Sequence, residues 1–259
     1  MHELAQIFRP RGFGVWLSAS TLLVGKPGML QLLTATAMTL AFAVLARLLR
    51  GVTRSGAVAG VVVCFLLYAG AGSGAFVALV TVFCLAWIST QWGYQQKQKL
   101  GTAERRDGRR ASQVLANLGV AAICAVLYAM GGRAVFLLAV AAALSEAAAD
   151  TVSSEVGQAG GKKARLITTW RVVPAGTDGG VSPAGTLAGI VAAALVSIVC
   201  VLVGFLPLRW AGISVTAAVG GMVADSYLGA SLERRKLLNN DLVNLAGTLA
   251  AVAIALLLI

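Results

Sequence analysis

The chain has 259 residues, 58% of them hydrophobic and 12% charged, with 21 Lys and Arg against ten Asp and Glu. Apolar runs of about 20 residues recur along it, which excludes an ordinary soluble domain and leaves no length for one beside the membrane part. The expected fold is an all-α polytopic bundle of about eight or nine spans in one integral membrane domain, 1–259, and the net charge of +11 reads as loop bias and contact with anionic lipid, not as nucleic-acid binding.

The start of the chain is polar and lacks a cleavage site, so no cleavable signal peptide is expected, and His2, the single histidine, is terminal. Segment 12–24 has a length between that of a re-entrant helix and a true crossing. Gly25-Lys26-Pro27-Gly28 forms a turn, and spans over 29–49, 56–71 and 74–92 follow. Glycines four apart, Gly56/Gly60, Gly70/Gly74 and Gly185/Gly189, are placed to let helix backbones approach closely in lipid. Cys64, Cys84, Cys124 and Cys200 lie in separate apolar segments without metal-ligand spacing and read as small apolar side chains.

Segment 93–110 carries Lys97, Lys99, Arg105, Arg106, Arg109 and Arg110 against Glu104 and Asp107 only, and is expected in the cytoplasm. Spans over 111–130 and 133–153, a polar segment 154–184, and spans over 185–206, 211–229 and 242–259 complete the chain. Alternation from that loop places all but Lys26, Arg133 and Arg209 of the 21 basic residues on one side. The asymmetry predicts an inside N-terminus, an outside C-terminus and an active site on the cytoplasmic side of a bacterial inner membrane.

Six of the ten acids, Glu146, Asp150, Glu155, Asp178, Asp225 and Asp241, cluster in three polar islands between spans. Acids at a membrane edge are functional candidates because an unpaired carboxylate is costly in hydrocarbon. In SEAAADTVSSEVG, Glu146, Asp150 and Ser154 share a helix face and Glu155 points away, so one cavity can take all three carboxylates only if the helix ends or unwinds near Ser153. Carboxylate oxygens without histidine or thiolate suit a hard cation, here Mg2+, with Asp150, Glu155, Asp178, Asp225 and Asp241 as ligand candidates. The competing reading pairs these acids with Lys162, Lys163, Arg165 or Arg171 simply to hold loop and helix together.

The turn Pro174–Pro183, PAGTDGGVSP, feeds a helix that Ser182 can cap with Pro183 in its first position. Its backbone N–H groups can wrap a phosphate. Gly176, Thr177, Gly179, Gly180 and Ser182 are therefore binding candidates together with Lys162, Lys163, Arg165 and Arg171, while Asn117, Asn240 and Asn244 can orient substrate. A short internal echo sets ADT at Ala149–Thr151 beside ADS at Ala224–Ser226, each ending an inward-running span.

Taken in order, QVLANLGVAA, ADTVSSEVG, LITTWRVVPAGTDGGVSPAGTLAG, VADSYLGASLERR and NNDLVN resemble an integral-membrane family, the domain of unknown function 92. That family includes the plant and cyanobacterial phytyl-phosphate kinases and the animal transmembrane protein 19 group. The resemblance implies transfer of a phosphoryl group from a nucleoside triphosphate, CTP foremost, to a prenyl monophosphate such as phytyl or geranylgeranyl phosphate. Such a transfer needs positioning and charge neutralisation more than covalent chemistry. Asp150, Glu155, Asp178 and Asp225 are the candidate catalytic acids, and the prenyl tail is expected among the spans over 56–71, 111–130, 185–206 and 211–229. The alternatives are a transporter or lipid flippase that uses the same acids for cation or proton coupling at a broken helix, and a nucleotidyl transferase.

Overall fold

A computed structural model describes residues 28–259 except Lys162; the segment 12–24, the turn at 25–27, and the lysine at 162 lie outside the described residues. Among the described residues, eight helices are long and apolar enough to cross a membrane. They are α1 (Met29–Leu48), α2 (Arg54–Ala71), α3 (Ser73–Gln91), α5 (Ala111–Gly131), α6 (Val135–Ala159), α7 (Pro183–Leu202), α8 (Leu208–Leu228) and α9 (Asn240–Leu257). A short α4 (Tyr94–Leu100) interrupts the charged segment after α3, and a π-helical turn, Gly229–Glu233, extends α8. Strands β1 (Ala164–Leu166), β2 (Val172–Val173) and β3 (Gly180–Val181) form an antiparallel sheet in the order β2-β1-β3, within a polar segment where the sequence shows no strand pattern.

Local chemistry starts three of the helices. Thr53 accepts from Gly56 N (3.0 Å) before α2, Asn239 from Leu242 N (2.9 Å) before α9, and Ser182 from Gly185 N (3.1 Å) before α7, whose first residue is Pro183. Each side chain satisfies a backbone donor that the first helical turn leaves open.

The centre of the bundle is α6, which packs against α3, α5, α7, α8 and α9. Fifteen of its 25 residues are buried, seven of them alanine. An alanine-rich surface is what lets five helices converge on a sixth, because each partner backbone can come close. Large apolar side chains point the other way: Leu187, Ile190, Leu195 and Ile198 of α7 and Val58 and Val62 of α2 are exposed, as lipid contact requires. One polar junction in the core joins α6, α7 and α8, where Ser197 donates to Ser214 (2.9 Å) and Ser145 lies 3.1 Å from Ser197.

The glycines follow the expected packing with one exception. A Cβ at Gly70 would meet Ala125 O at 2.7 Å, at Gly74 Phe205 at 2.8 Å, at Gly185 Ser153 O at 2.6 Å and at Gly189 Ala149 O at 2.8 Å, and Gly56 abuts Arg109 O. Gly60 would meet nothing within 4 Å. Substituting Gly185 by Val should therefore destabilise the bundle by about 1–3 kcal/mol or more through overpacking of α6 on α7. Gly212→Val, at a lipid-exposed position with nothing within 4 Å, should be close to neutral. Thermal unfolding of both variants in detergent is the check; equal loss in both would show that the α6–α7 contact is not tight.

Candidate functional site

The site lies at the end of the bundle where α1, α3, α6 and α8 finish and α2, α5, α7 and α9 begin. The charged segment after α3 folds onto this end instead of extending into solvent. Residues Val52 and Arg109 form a parallel bridge, with Thr53 N donating to Arg109 O (3.0 Å) and Arg109 N to Gly51 O (3.1 Å). Gly108, at φ 90°, sits against the Gly51 backbone where a side chain would not fit. The bridge fixes the Arg109 backbone, and the guanidinium reaches Thr151 Oγ1 on α6 at 3.3 Å.

A second anchor is Lys97 of α4, placed from sequence only in the charged segment expected in the cytoplasm and found fully buried. It donates to Glu155 Oε2, to Ser89 O (3.0 Å) and to Thr90 O (2.7 Å), while Glu155 Oε1 accepts from Thr90 Oγ1 (2.8 Å). The ammonium is tolerated there because all three of its protons are directed at oxygen. Glu155 is thus paired with a basic residue, as the structural reading of the acids requires, but with Lys97 and not with a residue of segment 162–171.

Between these anchors is a polar cavity of about 210 Å3. Asp150, Thr151, Ser154, Glu155 and Gln158 of α6 line one wall. Thr102, Glu104 and Arg109, with Gln113 and Asn117 of α5, line a second, and Asp225, Asn240 and Asn244 of α8 and α9 a third. Oriented so that its amide nitrogen donates, Asn244 reaches Asp225 Oδ2 and Asn240 O, both at 3.2 Å, and accepts from Asn117 Nδ2 at 3.1 Å. That chain joins α5, α8 and α9 through their polar side chains. Arg109 is the one cationic side chain lining the cavity among the described residues.

The structure therefore brings together Asp150, Glu155, Asp225, Asn117, Asn240 and Asn244. Of the three α6 carboxylates only Asp150 and Glu155 line the cavity, so the unwinding near Ser153 that all three would need is not required, and α6 continues to Ala159. Glu146 stays deeper, outside the lining, in a slot made by Gly221 and Gly247: Thr248 Oγ1 donates to its Oε2 (2.8 Å), and Oε1 has no partner among the described residues. The ADT and ADS echo corresponds to Asp150 and Asp225 on two walls of one cavity.

Other candidates lie elsewhere. Asp178 is exposed and Asp241 sits in the first turn of α9, and neither lines the cavity. Lys163 and Arg165 line a separate cleft with Trp170 and the start of α7, and Arg171 is exposed. Gly176, Thr177, Gly179, Gly180 and Ser182 form a closed turn: Thr177 N donates to Pro174 O, Gly180 N to Thr177 O and Gly185 N to Ser182 Oγ. Those donors are used within the turn, which packs Gly179 on Ala230 and Gly176 on Thr102. Arg109, Lys97, Gln113 and Thr151 were not singled out from sequence; their signal was only that a charged loop adjoins the acids.

Next to the polar cavity lies an apolar one of about 410 Å3. Its walls come from α1, α2, α3 and α5, with Phe42, Ala46, Ala57, Val63, Leu79 and Phe83 among the lining residues, and not from α7 or α8 as the sequence reading expects of a tail site. The two cavities share Glu104, Arg109, Gln113 and Asn117.

The integral membrane protein family DUF92 matches residues 37–252, and the chain belongs to that family. It is 33% identical over 220 residues to Protein VTE6, chloroplastic, of Arabidopsis thaliana, covering 82% of this chain and 66% of that protein, just under two thirds of its length. It is 34% identical over 196 residues to an uncharacterized membrane protein of Synechocystis sp. (74% of this chain, 76% of that one). A further uncharacterized membrane protein, from Methanocaldococcus jannaschii, is 32% identical over 211 residues (81% and 86%). No solved structure matches the chain significantly.

Removing one member of the buried pair should be costly. Lys97→Met leaves the Glu155 carboxylate buried without its counter-charge and is expected to destabilise the protein by about 3–5 kcal/mol, whereas Lys97→Met with Glu155→Leu should recover most of that loss. Thermal unfolding of the two variants beside the unmodified protein measures both. A double variant no better than the single one would mean that the pair contributes through packing alone.

Proposed function

We propose that this DUF92 protein is a prenyl-phosphate kinase, transferring the γ-phosphoryl group of a nucleoside triphosphate, CTP in our reading, to a prenyl monophosphate such as phytyl or geranylgeranyl phosphate. One observation carries the reading: a carboxylate- and amide-lined cavity at one end of the bundle shares a wall with an apolar cavity inside it. An acceptor with a phosphate head and a hydrocarbon tail matches that pairing. The family resemblance supplies the reaction, and similarity to a chloroplast protein and a cyanobacterial membrane protein accords with it.

In the transfer an oxygen of the acceptor monophosphate forms the bond to the γ-phosphorus as the bond to the β–γ bridging oxygen breaks, leaving a nucleoside diphosphate. The acceptor is already anionic at neutral pH, so no strong general base is needed. Asp150 and Asp225, with the amides of Asn117 and Asn244, position the reacting groups from three sides.

The donor set fits magnesium. Four carboxylates and several amide oxygens line the cavity without thiolate or imidazole; Glu155 is taken by Lys97 and Glu104 accepts from Gln113, which leaves Asp150 and Asp225, and magnesium is commonly held by one or two carboxylates plus substrate phosphates. Asp150 and Asp225 would hold the ion, and when bound it supplies neutralisation of the phosphate oxygens. The transporter reading calls for a helix broken beside the acids, and α6 is unbroken there.

The basic asymmetry of the loops supports a cytoplasmic location for this end of the bundle. Because the four cysteines form no disulfide, a cysteine-free variant carrying one new cysteine per loop can report topology. Positions in 93–110 and 154–184 should resist an impermeant thiol reagent on intact cells and label after lysis; ready labelling from outside would reverse the orientation.

The reaction itself is tested with purified protein, magnesium and each nucleoside triphosphate against geranylgeranyl, phytyl and farnesyl monophosphates, with products followed by mass spectrometry. Prenyl diphosphate and CDP are expected; pyrophosphate release would instead mark nucleotidyl transfer. Asp150→Asn and Asp225→Asn should each lower turnover on the order of 100-fold or more while leaving the fold intact. No diphosphate from any pairing in folded protein would overturn the assignment.

A further inference from the structure

We infer that the acceptor's prenyl chain lies in the apolar cavity between α1, α2, α3 and α5, that Arg109 receives its phosphate at the shared wall, and that Gly60 sets how long a chain fits. The inference rests on the kinase reading for the identity of the acceptor. The location of the chain, the role of Arg109 and the length limit come from the geometry.

The cavity is apolar in depth and cationic at its mouth. Phe42, Val63, Leu79 and Phe83 line the deep part, while Arg50, Arg105, Arg106 and Arg109 gather at the end nearest the acids. Its lining on α3 runs from Leu79 to Gln91, a rise of about 18 Å at 1.5 Å per residue, so it takes a long chain end-on, not a compact ring. Its volume of about 410 Å3 lies within the range of small-molecule sites. Hydrocarbon below and guanidinium above are complementary to an anionic amphiphile of one chain.

Arg109 has the position the phosphate requires. It lines both cavities, and in the polar one it is the single cation among the described residues, beside Glu104, Asp150, Glu155 and Asp225. A phosphate entering next to those carboxylates without a counter-charge would be repelled. The Val52–Arg109 bridge holds the backbone, and the guanidinium makes one side-chain hydrogen bond, to Thr151, leaving other N–H groups for a phosphate. Arg105, in contrast, is engaged by Asp107, at 3.0 Å and 3.3 Å.

Gly60 differs from the other packed glycines because a Cβ there meets nothing within 4 Å, although the residue lines the cavity. A side chain at 60 thus fills the cavity without moving a helix. Gly119 of α5 also has nothing within 4 Å but lies outside the lining, and is the matched control.

The test is binding by the full-length protein without nucleotide, so that it can succeed even where turnover fails. Geranylgeranyl monophosphate with a diazirine at its last isoprene unit should photolabel Phe42, Val63, Leu79 or Phe83. Labelling on the exposed faces of α7 or α8 would overturn the tail site. So would displacement by phosphatidic acid as effective as by unlabelled geranylgeranyl monophosphate, which would make the cavity a bulk-lipid site. Gly60→Leu should weaken geranylgeranyl monophosphate about tenfold or more and farnesyl monophosphate less, with Gly119→Leu within about twofold of the parent. Equal weakening by both substitutions, or for both chain lengths, would refute the length limit. Arg109→Gln should weaken the monophosphate about tenfold or more and leave geranylgeraniol unchanged; an equal loss for alcohol and phosphate would show that Arg109 acts only through the fold.

Discussion

The structure depends on α6 having almost no lipid face. A helix surrounded by five others cannot turn its polar groups to water or its large side chains to lipid, so its surface is alanine and every acid on it must be answered by a neighbour. The answers differ along its length. Ser145 joins a serine junction, Glu146 is held by Thr248 in a glycine-lined slot, Asp150 opens into the polar cavity, and Glu155 is closed by Lys97. Polarity therefore rises from the middle of the bundle to one end, and the cavity sits where that gradient meets the loops.

The charged segment after α3 has two structural tasks that share one geometry. Lys97 ties it to the end of α6, and the Val52–Arg109 bridge ties it to the α1–α2 corner. Two anchors at its two ends turn a basic loop into a wall common to both cavities. A cation presented on such a wall is fixed in place before ligand arrives, which lowers the ordering cost of binding.

Separating a wet cavity from a dry one by a single shared wall also divides the chemical work. Carboxylates and amides face one another across the polar side, where charge must be positioned, while aromatic and aliphatic residues of α1, α2, α3 and α5 form the other. A phosphate joined to a hydrocarbon chain is the kind of molecule that has to be in both places at once. On α7, large aliphatic side chains are exposed on one side and Gly185 and Gly189 pack tightly on α6 on the other.

By itself the sequence determined the membrane class, eight of the helices and their approximate limits, the N-cap at Ser182 with Pro183 after it, and that Asp150, Asp225, Asn117 and Asn244 are polar residues set among apolar spans. These were legible because hydropathy in a bilayer is a property of consecutive residues, and because a carboxylate or amide among apolar residues stands out without any knowledge of its neighbours. Only the tertiary structure decided that Lys97 is buried, that the glycine-rich turn closes on itself, that Lys163 and Arg165 face a different cleft, and that Arg109 stands between the two cavities. Each of these depends on pairing across long sequence separations, Lys97 with Glu155 and Val52 with Arg109, and a one-dimensional pattern carries no information about which of many loop cations finds the oxygen that allows it to be buried.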